Sequence, residues 1–290
     1  MKISYIALIS MVVMTAANGA AAEPPAGYYS AAIGSTGSVL KATLHKIIDG
    51  HRVVPYTNSR NHNWQDGQDL DVWEALAYTD SECPDDEPGC GRVRLLYLDD
   101  TRLLTQANRG GGENDSWDRE HVWPKSRGFP NQSQDGYTDL HHLRPADRNI
   151  NGIHSNYGYD NGGTIVMDKL GDGSEKPTGA RIDPGQASFE PPDRAKGQVA
   201  RMIFYMAVRY EVGDDGPPEN MPDLFIKNDN KRVNEPWIGK LCTLVAWNNM
   251  FGPTTFERRR NDRVMHIQGN RNPFIDEPGW VNLIWGEKCS

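Results

Sequence analysis

The spacing of apolar residues along the chain predicts two amphipathic helices. Apolar side chains recur at helical intervals from 38 to 49 and stop at the breaker Gly50. A second stripe predicts a helix over 196–210, which we expect to pack in the core. The members of that stripe are Val199, Met202, Ile203 and Met206.

Shorter apolar runs predict strands, and polar segments predict loops between the elements. Residues 93–97 (VRLLY) and 163–167 (GTIVM) read as short strands. Gly, Pro, Asp and Asn dominate three segments that we expect to be loops, at 110–118, 168–186 and 212–222. Because helices and strands are mixed and do not strictly alternate, the pattern favours an α+β fold in a single globular domain.

The N-terminus has the pattern of a secretory signal. Lys2 supplies a positive charge, residues 3–14 are mostly apolar, and Ala20-Ala21-Ala22 offers a cleavage site. We therefore predict a signal peptide at 1–22 and a mature domain at 23–290 that is secreted or periplasmic. The apolar run is shorter than the roughly 20 residues of a membrane span, so we expect no membrane anchor.

Composition and charge describe an acidic globular protein. The 290 residues include 31 Lys+Arg against 39 Asp+Glu, which gives a formal net charge of −8. This balance excludes a general cationic coat for nucleic acids or membranes. Any anionic partner must therefore meet a local group of cations.

Four cysteines form an even set in a chain that we expect to be exported, which favours two disulfides. Three pairings are open. We favour Cys83 with Cys90, which flank a Pro- and Gly-containing loop, and Cys242 with Cys289, which would tie the C-terminal tail to the core. Neither pair has the spacing of a structural zinc site, so zinc is the minor interpretation.

Three short strings gather most of the chemically versatile side chains: DREHVWP at 118–124, DLHHLRP at 139–145 and RNING at 148–152. Hydrolysis of a phosphodiester requires a base for water, a divalent ion against the developing charge, and cations for the phosphate. Histidines, carboxylates, amides and arginines in these strings can supply all three.

The string REHVWPKS, followed about 20 residues later by DLHHLRPADRNINGIHSN, resembles the bacterial endonuclease I family. These are secreted or periplasmic nucleases with a ββα-metal (His-Me) finger. The resemblance extends over nearly the whole mature chain. It includes Tyr28-Tyr29, the helix from Ser38, WEALAYTD, FEPPDRAKGQVARMIFYMAVRY and FERRRNDRVMHIQGNRNPFIDEP.

The resemblance implies roles for individual residues. His121 matches the general base, and Glu120 and Asn151 match the ligands of one hydrated Mg²⁺, with Mn²⁺ or Ca²⁺ as alternatives. Successive residues of a straight strand point to opposite faces. Glu120 and His121 can therefore share a site only at a strand end or bend.

The phosphate-binding arginine is less clear from the resemblance, because the insertion that supplies it in a member of the family is missing here. Arg144 is the first candidate, followed by Arg127 and Arg148. Arg258, Arg259 and Arg260, with Arg263 and Arg271 nearby, are interpreted as a cationic wall for the nucleic acid backbone. His141 and His142 are expected to make core or supporting hydrogen bonds.

The resulting prediction is a secreted, monomeric, Mg²⁺-dependent endonuclease that cleaves DNA, RNA or both without sequence preference and leaves 5′-phosphate ends. Two alternatives are an RNA-restricted ribonuclease of the same family and a catalytically silent nucleic-acid-binding protein. A zinc hydrolase built on His141 and His142 lacks HExxH-type spacing.

Overall fold

The computed structural model describes residues 23–57, 70–82, 91–211 and 221–289. The predicted signal peptide, the Cys83–Cys90 pair and most of the loop predicted at 212–222 lie outside these ranges. The described chain combines helices with short strands, which confirms the α+β class.

Helices and strands follow one another irregularly along the chain. The α-helices are α1 (Gly37–Ile48), α2 (Val72–Thr79), α3 (Arg148–His154), α4 (Asp193–Arg209), α5 (Leu241–Met250), α6 (Thr255–Gln268), α7 (Pro273–Asp276) and α8 (Trp280–Trp285). The strands are β1 (Arg92–Arg94), β2 (Thr101–Leu103), β3 (Trp117–His121), β4 (Leu143–Asp147), β5 (Gly158–Tyr159), β6 (Thr164–Lys169), β7 (Glu175–Asp183), β8 (Ser188–Glu190), β9 (Phe225–Ile226) and β10 (Trp237–Ile238). Both helices that the apolar spacing predicts are therefore present, as α1 and α4.

The long helix α4 lies at the centre of the core. The four apolar residues of its predicted stripe are at most 2% exposed, and α1 and α5 pack against the helix. Its buried arginines are paired, because an isolated buried charge is unstable. Arg201 Nε lies 2.8 Å from Glu257 Oε1, and Arg209 Nη1 lies 2.7 Å from Asp49 Oδ1.

Residues 117–154 form a unit of two strands and a helix, β3, β4 and α3. Strand β3 pairs antiparallel with β4, and Glu120 lies opposite Arg144 in the register. Helix α3 begins directly after β4. The segment that the sequence marks as chemically richest therefore folds as one compact unit against the core.

A four-stranded sheet, in the order β5-β8-β7-β6, flanks this unit. Its strand β7 occupies nine residues of the segment predicted as a loop at 168–186, so that prediction was wrong. Pro177 and Gly179 interrupt the strand sequence, and Ala180 is the one residue of β7 that is fully buried. Pairing with β6 and β8 creates a strand here that apolar alternation does not indicate.

The structure also tests the strand predicted at 93–97 and the predicted disulfide of the C-terminal tail. The strand predicted at 93–97 is present only as β1, and Leu95 to Tyr97 continue as buried chain outside a strand. Cys242 and Cys289 form a disulfide with a Cα–Cα distance of 5.2 Å, which confirms the pairing of the C-terminal tail. In the described ranges, none of the helices has the length and apolar character that crossing a membrane requires.

Candidate active site

A cleft of about 390 Å³ collects the residues that the sequence assigns to base catalysis and metal binding. Glu120 and His121 line it from β3, and Asn151 lines it from α3. Arg144 and Arg127 are not part of its wall. The structure thus brings together the predicted base and the predicted metal ligands, but not the predicted phosphate-binding arginine.

Two local features direct these side chains into one cleft. His121 is the last residue of β3, so the strict alternation of strand faces ends where the second side chain is needed. Asp147 ends β4 and caps α3, because its carboxylate accepts hydrogen bonds from the backbone N–H groups of Asn149 (2.9 Å) and Ile150 (3.4 Å). The cap starts the helix at once and places Asn151 in its first turns.

The ring of His121 is oriented by a backbone carbonyl. Its Nε2 lies 2.9 Å from the carbonyl oxygen of Tyr137, and a carbonyl can only accept, so Nε2 carries the proton. Nδ1 therefore holds the lone pair of the neutral ring. Burial, helped by nearby His142, lowers the pKa of His121 well below its ordinary value. The ring is neutral at physiological pH and can accept a proton at Nδ1.

Buried aromatic residues hold the carboxylate of Glu120 from behind. Tyr97 Oη donates to Glu120 Oε1 at 2.9 Å, and His154 Nδ1 lies 2.7 Å from the same oxygen. Burial, and secondarily the charge of Glu120, raises the pKa of Tyr97 well above its ordinary value, so Tyr97 keeps its proton. Because Oε1 is held by the protein, Oε2 is the oxygen that remains for a ligand in the cleft.

The residues in the cleft fit a hard divalent cation. Glu120 offers a carboxylate oxygen and Asn151 an amide oxygen, and Mg²⁺ prefers a few oxygen ligands together with water. Within the described ranges, no group of three or more His, Cys, Asp or Glu side chains has a metal-binding arrangement. The donor set therefore suits a hydrated ion that substrate oxygens complete.

Arg144 lies in a buried ion-pair network and not in the cleft. It is 1% exposed, its Nε is 2.5 Å from Asp80 Oδ1, and its Nη1 donates to Gln198 Oε1 at 2.8 Å. Arg260 joins the same carboxylate, with its Nε 3.1 Å from Asp80 Oδ1. Both guanidinium groups bind the buried carboxylate of Asp80 and not the phosphate that the sequence predicted for them.

Arg127 lies inside the fold and not at the predicted contact with nucleic acid, whereas the contact predicted for Arg148 stays a prediction. Arg127 is fully buried, and its guanidinium donates to three backbone carbonyls. Arg148 is half-buried on α3, and its Nη1 donates to the carbonyl of Gly112 at 2.6 Å. Arg127 is thus a structural residue, whereas Arg148 lines a shallow depression beside Asn151.

The arginines predicted to form a cationic wall mostly serve the fold. Arg260, Arg263 and Arg271 are at most 5% exposed. Arg258 and Arg259 are half-buried on α6 and donate to the carbonyls of Ile275 and Ser81. Sequence clustering did not distinguish a positive surface from a set of internal hydrogen-bond donors.

His141 and His142 contact different parts of the core. His141 Nε2 lies 3.1 Å from the carbonyl of Asn270, and His142 Nε2 lies 2.7 Å from the carbonyl of Gly136. Both side chains are at most 1% exposed. They make the internal hydrogen bonds expected for them, and a shared zinc site does not follow from this geometry.

We expect these two histidines to make the fold acid-sensitive. Burial lowers the pKa of each to about 4. Below pH 6.5, the ordinary pKa of about 6.5 lets both histidines bind a proton in the unfolded chain, whereas in the folded chain they stay neutral down to about pH 4. The free energy of unfolding therefore falls as the pH drops from about 6.5 to about 4. The wild type should lose free energy of unfolding between pH 7 and pH 5, and His142→Asn should make that loss smaller by about 2 kcal/mol. Urea unfolding at both pH values measures this. An identical loss in wild type and variant would contradict it.

Several residues around the cleft carry no sequence signal of their own. Arg119 and Lys125 flank the Glu-His pair inside a string that was recognised, yet their position in the cleft depends on the fold. Tyr97 lies in an apolar run that predicts a strand, and Arg232 lies in a polar stretch without a motif. Tyr97 and Arg232 are identified only because the fold brings distant segments of the chain to β3 and α3.

Comparison of the sequence with known proteins shows that the chain is similar to nucleases. The family described as Endonuclease I matches residues 36–279. An extracellular ribonuclease of Bacillus subtilis is 41% identical over 89% of this chain and 78% of its own length. An endonuclease-1 of Buchnera aphidicola is 31% identical over 48% of this chain and 44% of its own. A periplasmic deoxyribonuclease of Aeromonas hydrophila is 26% identical over 48% of this chain and 47% of its own.

Proposed function

Because the chain belongs to the endonuclease I family and is therefore a nuclease, we propose that it is a secreted, metal-dependent endonuclease without sequence preference. It hydrolyses phosphodiester bonds of RNA and DNA and leaves 5′-phosphate ends. The observation that carries this proposal is the shared cleft of Glu120, His121 and Asn151. The 41%-identical relative is named as extracellular, which supports secretion.

The chain's own residues supply the proton transfer. Nδ1 of His121 takes a proton from a water molecule while the water oxygen attacks phosphorus, and the bond from phosphorus to the 3′-oxygen breaks. The carbonyl of Tyr137 keeps the ring in the required tautomer throughout, because it binds the Nε2 proton. A departing 3′-oxygen together with a phosphate that stays on the 5′-oxygen gives the proposed ends.

Glu120 and Asn151 would hold one divalent cation, which we propose to be Mg²⁺. When bound, the ion stabilises the charge that develops on the phosphate and on the leaving oxygen. Tyr97 would keep Glu120 in place for this task, because its Oη donates to Oε1, and the buried ring of His154 lies against the same oxygen.

RNA restriction is a second candidate, and the pattern of relatives supports it. The relatives named as ribonucleases match 89% of this chain, whereas the deoxyribonuclease relatives match 48%. We therefore expect RNA to be cleaved at least as fast as DNA.

One experiment tests the proposed function directly. The purified protein is incubated with supercoiled plasmid and with a structured RNA at identical salt, with Mg²⁺ or with a chelator. We expect cleavage that the chelator stops and Mg²⁺ restores, with ligatable 5′-phosphate ends. Cleavage of RNA alone would select the restricted ribonuclease. Binding of either nucleic acid without cleavage in Mg²⁺, Mn²⁺ or Ca²⁺ would instead identify a silent binding protein.

We expect Tyr97→Phe to weaken metal binding about 10-fold, because supporting hydrogen bonds to a metal ligand typically contribute 10- to 100-fold to affinity. The variant loses the proton donated to Glu120 Oε1 but keeps the ring in the core. Titration with Mn²⁺, followed by electron paramagnetic resonance, measures the affinity. Asn151→Ala, which removes a ligand, should weaken binding at least as much.

The matched control for this measurement is Tyr29→Phe. Tyr29 is also buried, and its Oη donates to a carboxylate, Asp276 Oδ2, at 2.7 Å, but it does not line the cleft. Its variant should bind Mn²⁺ as tightly as the wild type. Equal affinities for all three proteins would remove Tyr97 from the support of the metal site.

A further inference from the structure

Arg232 reaches the active-site cleft from a distant part of the chain. It lies between β9 and β10, yet its side chain lines the same cleft as Glu120, His121 and Asn151. The residue is exposed. A cation at this position is therefore accessible to a ligand that enters the cleft.

The guanidinium of Arg232 is oriented by the turn that follows α3. Its Nε donates to Asn156 Oδ1 at 2.9 Å, Nη2 to Ser155 Oγ at 3.3 Å and Nη1 to Tyr157 Oη at 3.4 Å. The group also lies 4.5 Å above the ring of Tyr157. An arginine has five N–H donors and these three bonds use one on each nitrogen, so one N–H on each terminal nitrogen is available to a ligand. Two N–H donors of one guanidinium can bind a phosphate through two of its oxygens.

Buried Arg127 connects the two segments that hold this group in place. Its Nη2 donates to the carbonyls of Asn156 and Lys231, both at 2.7 Å, and its Nη1 donates to that of Trp237 at 2.9 Å. Asn156 accepts a hydrogen bond from Arg232, and Lys231 directly precedes Arg232 in the chain. The position of Arg232 is thus fixed from beneath by a side chain that is 0% exposed.

The charge of Arg232 is not neutralised within the part of the chain that the structure describes. All three of its hydrogen bonds go to neutral oxygens, and no described carboxylate lies within ion-pairing distance. Arg144 and Arg260, by contrast, both pair with Asp80. In a chain with a net charge of −8, an oriented and unpaired cation in the catalytic cleft favours an anionic ligand.

We propose that Arg232 binds a phosphate of the nucleic acid strand in the cleft, in the role for which the sequence suggested Arg144. This inference rests on the proposed nuclease function. The ligand is a backbone phosphodiester, which both RNA and DNA provide, so the contact carries no sequence information. Lys125 and Arg119, which line the same cleft, extend the path of the backbone.

The test is the binding of labelled single-stranded RNA and DNA oligonucleotides to a His121→Ala protein, which should not cleave them. Adding Arg232→Ala should weaken binding of both about 10-fold. It should also lower the slope of log affinity against log salt by about one, as expected for one lost phosphate contact. Arg232→Lys should keep the salt slope but not the full affinity, because a lysine retains the charge and loses the rigid planar group of N–H donors.

The matched control is Arg181→Ala. Arg181 is also exposed and also donates to a neutral oxygen, the carbonyl of Gly163 at 3.2 Å, but it lies on β7 and not in the cleft. Its variant should retain affinity and salt slope. Circular dichroism establishes that each variant is folded, and Arg232→Gln replaces Arg232→Ala if the latter is not.

Two negative results can be told apart. If the His121→Ala parent binds the oligonucleotides and loss of the Arg232 charge leaves affinity and slope unchanged, the inference about Arg232 is wrong and the nuclease proposal stands. If the parent binds neither oligonucleotide and the wild type cleaves neither substrate, both proposals are overturned.

Discussion

Replacing His121 by alanine should reduce the rate of phosphodiester cleavage by about 10²- to 10⁴-fold, the usual contribution of a positioned general base. The ring makes one hydrogen bond, to the carbonyl of Tyr137, and lies beside the rings of Tyr56 and His142 at the wall of the cleft, where alanine leaves the backbone hydrogen bonds of β3 intact. Its loss should therefore affect the proton transfer far more than the fold. Single-turnover cleavage of plasmid and RNA in saturating Mg²⁺ measures the rate of the chemical step without product release.

His45→Ala is the appropriate control for this variant. His45 also places a ring nitrogen near a backbone carbonyl, with Nδ1 3.0 Å from the oxygen of Val208, but it lies on α1 outside the cleft. Its rate should remain within a few-fold of wild type. If His121→Ala cleaves as fast as His45→Ala while Mn²⁺ titration shows an intact metal site, the base must be another group.

The residues predicted as base and metal ligands could be named from the sequence because they lie in short strings that resemble those of the endonuclease I family. Glu120 and His121 are adjacent, and Asn151 follows one strand later along the chain. The requirement for a strand end at His121 could also be stated in advance, since it depends only on strand geometry. Local chain geometry therefore explains how these three residues come to line one cleft, whereas the roles predicted for them follow from the family resemblance.

The arginines could not be assigned in this way, because their roles depend on distant partners. Arg144 meets a carboxylate 64 residues away, and Arg260 meets the same carboxylate across 180 residues. Nothing in a local string tells whether a guanidinium will be paired internally or will face a cleft. Arg232 has no motif around it in the sequence, yet its side chain lines the cleft.

Strand β7 shows the same limit for secondary structure. Its sequence EKPTGARID contains Pro and Gly, and its side chains are mostly exposed, so neither propensity nor alternation predicts a strand. Hydrogen bonds from β6 and β8 on its two sides define it. The core helices, in contrast, bury apolar stripes that are visible in the sequence, and they were predicted correctly.

Asp80→Asn should cost about 3–5 kcal/mol of unfolding free energy, because it leaves two buried guanidinium charges without their shared carboxylate. Burial opposes ionisation of Asp80, but Arg260 and Arg144 outweigh this effect and hold the pKa of Asp80 below its ordinary value. Arg144 belongs to β4 and Arg260 to α6. The carboxylate therefore joins two elements of the core as well as two charges. Urea unfolding at pH 7 measures the change.

Asp99→Asn provides the contrast, because Asp99 is 92% exposed and 3.9 Å from Arg194. Such a surface pair contributes at most about 1 kcal/mol. A similar small loss for Asp80→Asn would show that the buried network is not needed for stability. The folded fraction of Asp80→Asn should still cleave at close to the wild-type rate, since neither arginine reaches the cleft. A rate reduced 100-fold in folded protein would instead return Arg144 to the active site and displace Arg232 from the role proposed for it.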